Sequence, residues 1–201
     1  MSVNTIFGIN GVGKDAVASE LKKENPKITV TSMSRLLMYL LGISQTYDAA
    51  EKITEAQYKK LEEVPQKDMI ELEQQEYRAL LEDLTKQDDK VLILAHLISA
   101  LRHGDETEYL TNRQIPDWFV DINENLVQLV APPEVILERR LNDTSRNRKA
   151  DISQIVEHQS LCDDEWERIG KSKVLVKRKM HVIPNLDLGR TTREVRNVIS
   201  R

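Results

Sequence analysis

Residues 5–21 read "TIFGINGVGKDAVASEL", and the fold turns on how this stretch is understood. An apolar run ends at Gly8, glycines recur at 11 and 13, and Lys14 opens a segment with Ala16, Val17, Ala18 and Leu21 at helical spacing. A strand that turns through glycines into a helix N-terminus gathers backbone N–H groups and the positive end of the helix dipole around one point. Glycine lets the backbone turn tightly and approach an anion with no Cβ in the way. Gly8, four residues, Gly13 and Lys14 match the phosphate-binding pattern G-x-x-x-x-G-K-[ST] except in its last place, where Asp15 stands instead of a hydroxyl residue. Gly8, Asn10, Gly11, Val12, Gly13, Lys14, Asp15 and Ala16 are therefore the candidate ATP-binding loop. Lys14 is its catalytic cation, a point charge for the terminal phosphates.

Asp15 needs its own account. A carboxylate beside a triphosphate repels it unless a cation lies between the two. Magnesium is bound through one or two carboxylates plus phosphate oxygens, so Asp15 is the candidate metal-shell residue, with Mg2+ as cofactor and ATP as substrate. The competing reading makes Asp15 an N-terminal charge that complements the helix dipole.

Downstream, "KITVTS" (27–32) is a β-branched strand and "SRLLMYLLGI" (34–43) is helical. Strand, loop, helix, strand is a βαβ unit, which predicts a parallel sheet with helices on both faces. Residues 33–88 form a helical acceptor-binding insertion, in which Pro65 suits a first helical position and Met69, Leu72, Tyr77, Leu80, Leu81 and Leu84 recur near the 3.6 period. A plain crossover helix is the simpler reading of the same block. "VLIL" (91–94) is a strand covered on both faces, and "RHGDETEYLTNRQIP" (102–116) reads as a polar loop. Trp118 and Phe119 suit core packing better than a wall beside the acceptor. "LVQLVA" (126–131) is the next strand, "PPEVILERRL" (132–141) the next helix, and 142–151 a polar lid segment. A helix resumes over 151–169, with Ile152, Ile155, Val156, Gln159 and Leu161 roughly in phase. "MHVIPN" (180–185) closes the sheet, and Thr191 with Glu194 predicts a capping box for the last helix. The run 171–179 is assigned to neither strand nor helix.

The chain of 201 residues is read as a single domain, with 40% hydrophobic and 31% charged residues to supply one core under a solvated surface. Its net charge of −4 argues against nucleic acid and anionic membranes as partners. The one cysteine, Cys162, excludes an internal disulfide and fits a reducing compartment. The start of the chain has no signal-peptide pattern, and residues 91–101 fall well short of the ~20 needed to span a bilayer. The expected localisation is cytoplasmic.

Arg139, Arg140, Arg146 and Arg148 fall within ten residues at the end of a helix and the start of the polar segment. Arginines neutralise the charge that spreads over a transferring phosphoryl group, and a closing segment brings them in while excluding water. Here the sequence resembles a known family. "ERRLNDTSRNRKADISQIVEHQ" (138–159) is similar to the lid and following helix of archaeal-type adenylate kinases, P-loop nucleoside monophosphate kinases. "TEAQYKKLEEVPQKDMIELEQQEYRALLEDL" (54–84) resembles their monophosphate-binding helices, and 91–119 resembles the segment after their third strand. "HVIPN" with a terminal helix resembles the end of their chains, so the likeness runs over essentially the full length.

The resemblance implies a five-stranded parallel sheet of the P-loop NTPase type and transfer of the ATP γ-phosphate to a nucleoside monophosphate, AMP first. It implies that Arg146 and Arg148 clamp phosphates as catalytic residues, that Arg139 lies near ATP, and that Asn185–Leu188 border the adenine. Ser34, Arg35, His96 and Arg102 become the acceptor-side candidates, and a homo-oligomer is allowed.

Three positions depart from the family. Asp15 replaces a hydroxyl residue, a spelling similar to that of a phage deoxynucleotide monophosphate kinase and animal phosphomevalonate kinase. Leu94 and Ala95 stand where an acid that organises magnesium is expected, and Arg35 is out of register, with Met38 nearer the expected place. These departures keep two rivals: a P-loop kinase for another small phosphorylated acceptor, and a nucleotide-binding sensor with weak catalysis.

Overall fold

In the computed structural model the described residues are 2–48, 53–65, 76–87, 90–98, 100–103, 106–109, 115–143, 151–172 and 179–200. β1 (Ser2–Phe7) is buried along its whole length because it is the middle strand of the sheet. Glycines end it, and α1 (Lys14–Glu24) leads back to β2 (Ile28–Ser32). The helices α2 (Met33–Leu40), α3 (Glu55–Glu62) and α4 (Tyr77–Gln87) separate β2 from β3 (Lys90–Ala95). Then come β4 (Ala100–His103), β5 (Glu106–Tyr109), α5 (Asp117–Ile122), β6 (Asn123–Val130), α6 (Pro133–Asn142), α7 (Ile152–Ser172), β7 (Met180–Pro184) and α8 (Leu188–Ile199).

The main sheet has five strands in the order β2-β3-β1-β6-β7, and every pairing is parallel. This is the predicted α/β class. Register sets where the ends fall: Phe7 stands beside Ala95 on one side and Gln128 on the other. The segments after β1, β3 and β6 therefore leave the sheet together at its carboxyl edge, where open α/β sheets bind ligands. Ile6, Phe7, Leu92, Ile93, Leu126 and Val127 form the dry centre, as all-apolar parallel strands must. α1 packs against α8, and α6 against α7.

Polar contacts hold the chain between β2 and β3 to the end of β2 and the start of α2. Tyr77, fully buried, donates its hydroxyl to the Met33 carbonyl, and Thr31 Oγ1 donates to Tyr47 O at 2.6 Å. α4 forms as its period predicts, with Tyr77, Leu81 and Leu84 buried. The earlier part of that predicted amphipathic run, 66–75, lies outside the described residues.

Several expectations change. The polar loop predicted over 102–116 is in part an antiparallel hairpin, with Arg102 opposite Thr107 and Ala100 opposite Tyr109. Tyr109 anchors it, donating its hydroxyl to Gln154 O of α7 at 2.9 Å. The capping box also fails: Asp187 caps α8, accepting from the Arg190 amide at 2.7 Å, and Thr191 sits buried inside the helix with its hydroxyl on Pro184 O. α8 simply begins earlier than the Thr191 signal suggests. Of the unassigned run, Lys171 and Ser172 end α7, and Lys179 donates to the carbonyls of Val120 and Asn123, both at 2.6 Å.

α7 is buried along a stripe that apolar counting does not find. Ile155, His158, Cys162, Glu165 and Ile169 face inward at alternating three- and four-residue steps, while Ile152 and Val156 are exposed. Each polar member is satisfied. Glu165 holds Arg168 through two bonds of 2.6 and 2.7 Å, and the pair takes both the N–H and the C=O of Ile115. This brace fixes the chain just before α5, where Phe119 packs edge-on against Phe7.

Candidate active site

The turn from β1 into α1 needs glycine at two places. Gly11 and Gly13 have φ of 88° and 100°, in the left-handed half of backbone space. A Cβ on Gly13 would lie 2.5 Å from Asn185 Nδ2, and one on Gly11 would lie 3.0 Å from Arg140 Cγ. The loop is thus pressed between α1 and side chains arriving from α6 and from the end of β7.

Those side chains grip the loop by its carbonyls. Arg140 donates Nε and Nη2 to Asn10 O at 2.9 and 2.8 Å. Arg139 donates Nη1 to Val12 O at 2.9 Å and Nη2 to Asn185 O at 2.8 Å. Asn185, 2% exposed, donates Nδ2 to the same Val12 oxygen at 2.7 Å, while its own amide bonds Val130 O. Two guanidinium groups therefore hold the glycine turn by its carbonyls. Lys14, 7% exposed, bends back over the turn and donates to Gly8 O at 2.6 Å and Ile9 O at 3.3 Å.

α7 and the segment after β3 form the facing side. His158, buried, bonds Ile98 O through Nε2 at 2.9 Å and stacks at a tilt on Tyr109, ring centres 4.8 Å apart. Burial holds the imidazole below its usual range, and the positive charges of Arg140 and Lys14 act in the same direction. Cys162, one turn on, also bonds the Ile98 backbone, and burial pushes its thiol up to about 11. The buried face of α7 therefore meets the segment after β3 at the Ile98 backbone.

The predicted residues divide accordingly. Gly8 to Lys14 form one structure with Arg139. Asp15 and Ala16 are exposed in the first turn of α1, and Asn10 is exposed at the crown of the loop. On the acceptor side, Ser34 is exposed, Arg35 is buried in α2 at 7% exposure, and His96 is half-buried directly after β3. Arg102 lies in the β4–β5 hairpin. Arg146 and Arg148, with nearly all of the predicted lid 142–151, lie outside the described residues. Leu94 and Ala95 are buried at 4% and 2%, apolar to the end of the strand. Among the described residues no group of three or more His, Cys, Asp or Glu side chains could hold a metal ion. Sequence reasoning missed the work of Arg140, the Asn185 side chain and His158. Arg140 stands in the predicted arginine cluster and Asn185 at the predicted adenine border, but their hold on the loop carbonyls leaves no signal in residue spacing, and His158 shows only as part of the quoted Glu-His-Gln string.

A parallel sheet in this order, with a glycine turn and an inward lysine after its middle strand, defines a P-loop protein of the kinase fold. The chain belongs to the AAA domain family, whose model matches residues 7–156. Its fold is similar to that of a shikimate kinase from Bacteroides thetaiotaomicron, with TM-score 0.52 and 10% identity over 100% of this chain and 99% of that one. It is similar also to TT1252 from Thermus thermophilus, with TM-score 0.52 and 16% identity over 99% and 96%. No curated protein matches the sequence. No helix among the described residues is long and apolar enough to cross a membrane.

Proposed function

We propose that the protein is an ATP-dependent kinase that transfers a phosphoryl group to a small phosphorylated acceptor, with AMP the first candidate. One observation carries the proposal: the glycine turn after β1 has its carbonyls at Asn10 and Val12 held by α6 and Asn185, with the Lys14 ammonium buried inside the turn. Phosphoryl transfer requires placement and charge neutralisation more than a strong base, and this site offers those. Lys14 would leave the carbonyls of Gly8 and Ile9 for phosphate oxygens, and Arg139 would stay close by, between the loop and Asn185. The resemblance of 138–159 to adenylate kinase lids supports AMP and assigns Arg146 and Arg148 to phosphate clamping.

The donor set fits magnesium held mostly by substrate. Asp15 offers one exposed hard oxygen donor next to the loop, and the described residues hold no multi-residue metal cluster, so phosphates and water would supply the other ligands. The ion would neutralise charge on the phosphates, and Asp15 would hold its water shell. Replacing Asp15 by alanine is expected to raise the magnesium concentration needed for activity. An unchanged requirement leaves Asp15 as a helix-dipole charge only.

A different acceptor is the second reading, favoured by α2. Its one arginine, Arg35, is 7% exposed and Met38 is fully buried, which gives a nucleoside monophosphate little charge to meet there. ATP with magnesium and a panel of acceptors, following ADP formation, separates the readings. AMP preference supports the first, and preference for another acceptor replaces AMP while keeping the kinase. ATP binding with no turnover on any acceptor gives the sensor reading instead.

A further inference from the structure

A trans peptide is planar, with its C=O and N–H pointing to opposite sides, so a carbonyl held in place aims the following amide as well. Arg140 closes two donors on the single Asn10 oxygen, at 2.9 and 2.8 Å, from the α6 side of the loop. By the planarity of that peptide, the held oxygen points the Gly11 N–H away from the Arg140 guanidinium. The Val12 oxygen, shared by Arg139 and Asn185, does the same for the Gly13 N–H. Among the described residues neither amide donates to a backbone carbonyl. The Arg140 stem also packs on the loop, since a Cβ at Gly11 would come within 3.0 Å of its Cγ.

We propose that Arg140 is a positioning residue for the polyphosphate: it presets the loop amide at Gly11 from behind and does not touch the phosphates. This rests on reading the loop as a triphosphate site. A donor fixed before the ligand arrives spends no binding energy on turning a peptide, so the arginine acts through the geometry of the loop. A guanidinium suits this role because it presents two N–H groups in one rigid plane, which an ammonium cannot do.

The test compares the wild type with Arg140→Met and Arg140→Lys. Dissociation constants for inorganic tripolyphosphate are measured by calorimetry at about 0.1 M and 0.5 M KCl, well below each protein's melting point. Raising the salt cuts the screening length from about 10 Å to roughly half, which suppresses a through-space charge effect and leaves a hydrogen-bonded geometry intact. The expected result is an affinity about tenfold weaker for Arg140→Met, with the same factor at both salt concentrations. Arg140→Lys should fall close to it. An unchanged affinity, a loss that vanishes at 0.5 M KCl, or full rescue by lysine would each overturn the positioning role. Should Arg140→Met lose its fold, the lysine variant decides alone: weakened binding at both salts supports the proposal, and wild-type binding sinks it. A wild type that binds neither tripolyphosphate nor ATP is a separate failure, of the triphosphate site itself.

Discussion

Replacing Gly13 by alanine puts a methyl group where Asn185 already stands. Two costs can be separated. The backbone at φ 100° lies outside the region an L side chain accepts easily, a strain of about 2 kcal/mol. The new Cβ would also lie 2.5 Å from Asn185 Nδ2, so Asn185 must withdraw and give up its 2.7 Å bond to Val12 O. Val12 O keeps Arg139, so the lost bond costs roughly 1–1.5 kcal/mol and leaves no orphaned acceptor. The single variant should therefore lose about 3–3.5 kcal/mol, read as a shift of the urea midpoint at constant slope. Asn185→Ala alone should lose about 1 kcal/mol. In the double variant the collision is gone and only strain plus one missing bond remains, about 3 kcal/mol. The cycle then shows coupling of roughly 1–1.5 kcal/mol. Additivity within about 0.5 kcal/mol, or a Gly13→Ala cost under about 1 kcal/mol, would refute the idea that Asn185 braces the turn.

Three further outcomes follow from α7. His158 has a folded-state value below the ordinary 6.5 because burial disfavours its charged form, so the unfolded chain binds the extra proton first. Its stabilising effect is complete above 6.5, starts to fall below it and is lost as the pH passes the lower folded-state value, so the melting temperature should drop on acidification. His158→Gln should show a flatter pH profile over the same window; an unchanged slope would locate the titration elsewhere. Cys162, pushed up to about 11 and 3% exposed, should react with a thiol reagent at pH 8 about 100-fold more slowly in the native protein than in the urea-unfolded chain. Similar rates would mean that the stripe opens readily. Glu165→Ala removes the brace on Ile115 and leaves Arg168 half-exposed to water, so a loss of about 2 kcal/mol is expected in chemical denaturation; a change under about 0.5 kcal/mol would show the brace to be dispensable.

The sequence alone determined the glycine turn, the lysine at its end and the run of parallel strands. These are local properties: an unusual backbone angle demands glycine within a few residues, and a strand buried on both faces must be apolar throughout, as "VLIL" (91–94) is. Where local signals were weak or ambiguous, reading them in isolation went wrong. The Gly104-Asp105 pair that could have announced the hairpin sat inside a polar run, and Thr191 with Glu194 imitated a cap that Asp187 supplies. Only the tertiary structure decided who holds the phosphate loop. Arg140 reaches Asn10 across 130 residues and Asn185 reaches Val12 across 173, and both separations close only because β6 and β7 follow β1 in the sheet. The same holds for α7, where His158, Cys162 and Glu165 are polar in composition yet buried, each satisfied by a partner that sequence spacing cannot reveal. Periodicity records which face of an element is apolar; the partner of a buried polar group is fixed by strand order and register.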